Sequence, residues 1–191
     1  DFDDVVQKIA DAIPNERAFA TGVVAIIEEQ RGTIRRVAAS RTSEAIEAIK
    51  AINIPFKQIE ISLDDPENLM AQSVREHTTL ITTDSYDVLG PVLSREQAAT
   101  IQRIMGTKTT FVCPIYGSKN KPIGVFIAST SKEQKNLTQY EKDMIQIFTD
   151  GVGIAIEHAI LYSKLKVTSE ELAVANSRLK ELDKLKDDFV S

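Results

Sequence analysis

The chain has 191 residues, 42% hydrophobic and 27% charged, the balance of an ordinary globular chain with room for one domain of about 150 residues and an appendage. Its net charge of −5 comes with scattered basic residues, which excludes the concentrated basic face that nucleic acid needs. Cys113 is the only cysteine, so an intrachain disulfide, a CxxC pair and a thiolate zinc site are excluded.

In chain order, FDDVVQKIADAI (2–13) places Phe2, Val5, Val6, Ile9 and Ile13 at helical spacing, and Pro14 ends the run. Phe19 to Glu28 and Thr33 to Ser40 are two strands joined by a turn at Gln30-Arg31-Gly32. Ser43 is the expected N-cap of a short helix with Ile46, Ile49 and Ile52 on one side. Phe56 to Leu63 alternates apolar and polar residues as a half-buried strand does, and Pro66 opens a helix that runs to about His77. Leu80 to Thr83 is a brief apolar run, followed by a loop from Asp84 to Ser94 containing Gly90-Pro91. SREQAATIQRIMG is a helix closed by Gly106, and TTFVCPIYG and PIGVFIAST are strands joined by the turn SKNK.

From Thr138 onward there is no proline, and only Gly151 and Gly153 interrupt a helical pattern. A helix of about 50 residues spans roughly 75 Å, more than a domain of this size can cover. Its heptad a positions read Gly151, His158, Leu165, Leu172 and Leu179; its d positions read Ile147, Ile154, Leu161, Thr168, Ala175, Leu182 and Phe189. That seam predicts a parallel dimeric coiled coil, so the expected partner is a second copy of the chain. A second stripe of Ile145, Phe148, Val152, Ala155 and Ala159 lies about 100° around the helix and predicts packing on the domain itself. Toward the end, Leu179, Leu182, Leu185 and Phe189 step by three, three and four, a stammer that locally overwinds a coiled coil.

This order of elements, with TTFVCPIYGSKNKPIGVFIAST, REHTTLITTDS and LTQYEKDMIQIFTDGVGIAIEHAILYSKLK, resembles a GAF domain over about residues 1–163. The resemblance implies an α+β fold, a central antiparallel sheet flanked by helices, with residues 164–191 as a signalling coiled-coil helix. The segment KDDFVS is similar to the opening of the phosphoacceptor region of sensor histidine kinases, with Lys186, Asp187, Phe189, Val190 and Ser191 matching. The family's phosphorylated histidine follows a few residues beyond the position of Ser191. The combined resemblance implies a signal-input and dimerisation piece without catalysis of its own, meeting a response regulator only through a kinase core. A cytoplasmic setting is expected, with a parent protein free to be membrane-attached. A ligand-free dimerising spacer, or the sensor of a nucleotide cyclase or transcription activator, stays open as an alternative.

Thr83, Asp84 and Tyr86, with Ser85 between them, and Arg103 lie on or near the loop that caps the pocket in the family, so they are expected to bind a small polar ligand. Cys113 is expected either beside that ligand or as a small core residue. Its neighbours Pro114-Ile115 lack the adjacent histidine of bilin-attaching relatives, and a single cysteine lacks the partners that GAF-type methionine sulfoxide reductases need. The cyclic-nucleotide signature N-K-x-F-D-E is not reproduced by NLTQYEKD. His77 is either a haem ligand or a helix-end cap; His158 is either a protonation-sensitive seam residue or a tolerated one. The cofactor is left unassigned.

Overall fold

A computed structural model describes residues 1–15 and 18–190, so Ser191 of the KDDFVS segment lies outside the described residues. Helix α1 (Phe2–Ala12) turns Val6, Ile9 and Ala10 inward. Strands β1 (Thr21–Glu28) and β2 (Thr33–Ala39) follow as an antiparallel pair. Helix α2 (Ser43–Lys50) is capped one residue earlier than the sequence suggested, by the Thr42 hydroxyl accepting from the Ala45 N–H. Its inward face is Ala45 and Ala48, while Ile46 is exposed.

Two further boundaries depart from expectation. The strand expected over Phe56–Leu63 shrinks to β3 (Glu60–Ser62), because Phe56–Gln58 forms a 3-10 turn whose Gln58 N–H donates to the Pro55 carbonyl at 2.8 Å. Helix α3 (Leu69–Glu76) starts three residues beyond Pro66, because Asn68 rather than proline supplies the cap. The Asn68 Oδ1 accepts from the Met70 N–H at 2.9 Å, and its amide nitrogen donates to the carbonyls of Val88 and Gly90. Strand β4 (Leu80–Thr82) leads into a loop that contains a single helical turn, α4 (Tyr86–Leu89). Helix α5 (Arg95–Met105) opens with a reciprocal Ser94–Gln97 capping box and closes on Gly106, whose φ of +63° is the left-handed conformation that glycine adopts freely.

Strands β5 (Thr109–Tyr116) and β6 (Pro122–Thr130) complete one six-stranded sheet in the order β3-β2-β1-β6-β5-β4, antiparallel throughout. Helix α6 (Gln139–Val190) is 52 residues long, about 78 Å at 1.5 Å per residue. One sheet face carries α1 and the first half of α6 over Phe111, Cys113, Ile115 and Phe126; the other carries α2 through α5. The architecture is the α+β, antiparallel-sheet arrangement expected from sequence.

Sheet register decides what each strand offers to each face. β1 and β2 slip between Val24 and Ala25, where Val24 faces Ala38 but Ala25 faces Arg36, leaving Val37 as an extra residue. Such a bulge twists the strand locally and re-aims its side chains. Arg35 turns toward the outside and pairs with Glu28 at 2.7 Å, whereas Arg36 goes under the helices on the opposite face.

Candidate functional site

Between the sheet and helices α2 and α5 lies a cavity of about 90 Å³. Its floor is Val23 and Ile127 flanked by Thr21, Thr110 and Ser129, and its roof is Ala45, Ala48, Ile49 and Ile52 of α2 with Ile101, Gln102 and Met105 of α5. Roughly 10–15 Å³ of such space holds one water, so the cavity accepts a small organic molecule. Strand alternation explains the floor. Thr21, Ser129 and Thr110 stand in one cross-strand row, and Val23 and Ile127 in the next. The hydroxyls are satisfied in pairs, Thr21 with Ser40 and Thr110 with Ser129, each at 2.8 Å.

Among the described residues Arg36 is the single charged side chain in the lining. It is 6% exposed, its Nε has no hydrogen-bond partner, and its Nη2 reaches only the Val88 carbonyl at a long 3.5 Å. That carbonyl already accepts from Asn68 at 3.0 Å. Burial lowers the guanidinium from its ordinary value to about 10, so it still carries its charge at neutral pH. Among the described residues it forms no salt bridge, although buried charges are normally paired.

None of the five residues expected at a ligand lines this cavity. Thr83 and Asp84 are exposed on the β4–α4 turn. The Asp84 carboxylate accepts from the Tyr86 N–H at 2.8 Å and pairs loosely with Arg95 at 3.6 Å. Tyr86 lies beneath Arg95, 4.2 Å from ring centre to guanidinium, in a separate polar depression with Asn68 and Pro91. Arg103 is exposed; its neighbour Gln102 is the α5 residue that turns inward, accepting from the Ser85 N–H at 3.0 Å and donating to the Thr83 carbonyl at 2.9 Å. Cys113 sits on the opposite sheet face, fully buried with Thr79 and Thr149 beside its sulfur, and burial pushes its thiol up to about 11. The loop therefore meets the cavity through Ser85, Val88 and Leu89.

The sequence carried a signal for Arg36 that composition hides. In TIRRVAA, Arg36 shares the parity of Ile34, so alternation puts the two on one face. Ile34 is fully buried.

His77 ends α3 in the left-handed conformation, φ 54°, and stacks on Tyr116 with ring centres 6.1 Å apart. Among the described residues no group of three or more His, Cys, Asp or Glu side chains is placed to hold a metal ion.

Helix α6 presents two faces. Thr138 and Glu141 form a capping pair at its start: the Thr138 hydroxyl accepts from the Glu141 N–H, and the Glu141 carboxylate accepts from the Thr138 N–H at 2.9 Å. Lys132 also bonds that carboxylate, and both contacts hold it below the usual carboxylate range. Ile145, Thr149, Gly153, Ile156 and Ala159 are buried against the sheet, and Phe148 packs on Phe126 at 5.2 Å. Thr149, Gly153 and Ile156 were not in the expected inward stripe, whereas Ala155 was and is exposed. The inward face is thus rotated slightly from the sequence reading. An 18-residue stretch of α6 has the length and composition of a membrane span, with mean hydropathy 1.3, and part of that stretch is the face docked on the sheet. On the seam side, Ile147, Ile154, Leu161, Leu165, Leu172, Leu179, Leu182 and Phe189 are all 54–95% exposed, and His158 is exposed with them.

A family model described as GAF domain matches residues 1–157. Among solved structures, the chain is similar to the GAF domain of a two-component sensor histidine kinase from Bacillus halodurans, with TM-score 0.61 and 19% identity over 85% of this chain and 98% of that one. It is also similar to a GAF domain/HD domain protein from Geobacter sulfurreducens, with TM-score 0.59 and 15% identity over 84% of this chain and 95% of that one. A type II free methionine-R-sulfoxide reductase from Thermoplasma acidophilum aligns with TM-score 0.54 and 14% identity over 82% and 92% of the two chains. At these identities the likeness is one of fold. A comparison with curated proteins finds no match.

Proposed function

The chain belongs to the GAF domain family, and on that premise we propose that it is the signal-input and dimerisation module of a two-component sensor histidine kinase. GAF domains are regulatory modules, and the cavity beneath α2 and α5 is where this one would take its input. The observation that carries the reading is the two-faced helix: α6 is fixed to the sheet along one side and leaves a mainly apolar seam, interrupted at His158 and Thr168, bare along another. Seven large apolar side chains per helix, Ile147 to Leu182, gain about 1.5 kcal/mol or more each on burial, which outweighs an association cost of roughly 4–15 kcal/mol. The partner that fits is a second copy in parallel register.

The kinase assignment is favoured by the likeness of KDDFVS to the opening of a phosphoacceptor region and by a sensor kinase among the fold relatives. In this reading the module works in the cytoplasm. A change around α2 and α5 shifts the sheet against α6, and the seam converts that shift into rotation or a change of register. The spacing change at Leu179–Phe189 is the soft point at which such a motion is absorbed. A response regulator is met only through the kinase core.

The test is the parent protein. Its sequence beyond Ser191 is expected to continue into a histidine followed by an E-L-R-T-P-like run, and the parent is expected to autophosphorylate from ATP with an acid-labile phosphate. A cyclase domain, or a continuation without that histidine, sinks the kinase assignment.

A further inference from the structure

We infer that the cavity between the sheet and helices α2 and α5 is a binding site for a small organic monocarboxylate with an apolar body, whose carboxylate bonds to Arg36. This deepens the sensory reading above and rests on it. A buried charge without a partner costs several kcal/mol, and arginine persists in such a place only when something compensates it. Among the described residues nothing does: Nε is unbonded, and the 3.5 Å contact to the Val88 carbonyl is at the limit of hydrogen bonding. A guanidinium offers five N–H donors in a planar fork that matches a carboxylate in bidentate fashion.

Charge balance narrows the class. Among the described residues Arg36 is the single charged group of the lining, so one negative charge leaves the site neutral, whereas a phosphate dianion would leave a net charge buried. The remaining wall supplies mainly aliphatic contact, with Val23 and Ile127 below and Ile49, Ile52 and Met105 above. A volume of about 90 Å³ suits a free acid of a few carbons. On the sheet, the Val23–Ile127 row stands between Ala25, the cross-strand partner of Arg36, and the hydroxyl row Thr21–Ser129–Thr110.

The experiment is thermal denaturation and calorimetric titration of the protein with 4-methylpentanoate, its neutral amide, and inorganic phosphate, each also applied to Arg36→Met. The acid is expected to raise Tm by roughly 5–10 °C at about 100-fold excess over Kd, while the amide and phosphate leave it unchanged. Arg36→Met is expected to be as stable as the parent or more so without ligand, and to bind the acid about 30-fold or more weakly. An amide that binds as well as the acid overturns the anion assignment while leaving the cavity as an input site. Phosphate binding in place of the acid overturns the ligand class. No response to straight and branched monocarboxylates of two to eight carbons overturns the proposal outright. None of these results touches the dimer or the kinase assignment, which are read from oligomeric state and from the parent's autophosphorylation.

Discussion

Gly151 and Gly153 stand two residues apart on α6 and have opposite surroundings. A Cβ added at Gly153 would lie 2.0 Å from the Tyr116 carbonyl oxygen, 3.1 Å from its carbon and 3.4 Å from the Ile115 Cγ2. One added at Gly151 would meet nothing within 4 Å. Two of the three atoms at Gly153 are backbone, so no rotamer change relieves the clash, and α6 must move from β5 by about 1 Å in a close-packed interior. Overpacking of that kind costs about 1–3 kcal/mol. Glycine-to-alanine in a helix otherwise stabilises by about 0.5–1 kcal/mol. Gly151→Ala is therefore expected to stabilise by that smaller amount and Gly153→Ala to destabilise by about 1–3 kcal/mol. For a chain of this size each kcal/mol is roughly 2–4 °C in Tm. Urea denaturation followed by circular dichroism, at one fixed protein concentration, reads the difference directly. Equal stability of the two variants would refute the docking of α6 on β5 at this point, and with it the axis along which a signal is proposed to travel.

Glu141→Gln keeps the shape of the α6 cap but loses its charge, and is expected to cost about 1–2 kcal/mol at pH 7. Because the Lys132 ammonium and then the Thr138 N–H hold the Glu141 carboxyl below its usual value, its contribution is present above the unfolded-state pKa and is lost as pH falls through the folded one. The gap between wild type and variant should shrink from pH 7 to pH 3; a constant gap contradicts the ion pair. Cys113, with its thiol pushed up to about 11 and no exposed surface, should react with a thiol reagent at pH 8 only as fast as the fold opens. Stoichiometric labelling within seconds would place it near solvent instead.

The β5–β6 hairpin and the long helix were legible because each is a long run without a breaker of its pattern. Residues 109–116 and 122–130 are two apolar stretches joined by a polar turn, and residues 139–190 carry no proline. The ends of α2 and β3 were not, since Thr42 and Ser43 are both good caps and Pro55 sets a 3-10 turn through a bond that an alternating pattern does not reveal. The candidate site was harder to see. Alternation puts Cys113 and Thr110 on opposite faces, but a single sequence does not say which face holds the helices that leave a gap. Arg36 was masked by its neighbour: Arg35 and Arg36 look like one solvated doublet until the bulge at Val37 and the burial of Ile34 separate them. Loop residues 83–86 drew attention by their polarity, yet most of that polarity is spent within the loop, in contacts among Thr82, Asp84, Tyr86 and Asp87.

The central claim is that the bare seam of α6 pairs with a second copy in parallel register, and disulfide trapping tests it most directly. Since Cys113 is buried and is the only native cysteine, new cysteines report cleanly. Leu172→Cys, at a seam position, is expected to give a covalent dimer on mild oxidation, while Ser177→Cys, on the far side of the helix, stays monomeric on a non-reducing gel. No cross-link from Leu172→Cys, or equal cross-linking from both, would contradict the parallel coiled coil and the relay built on it.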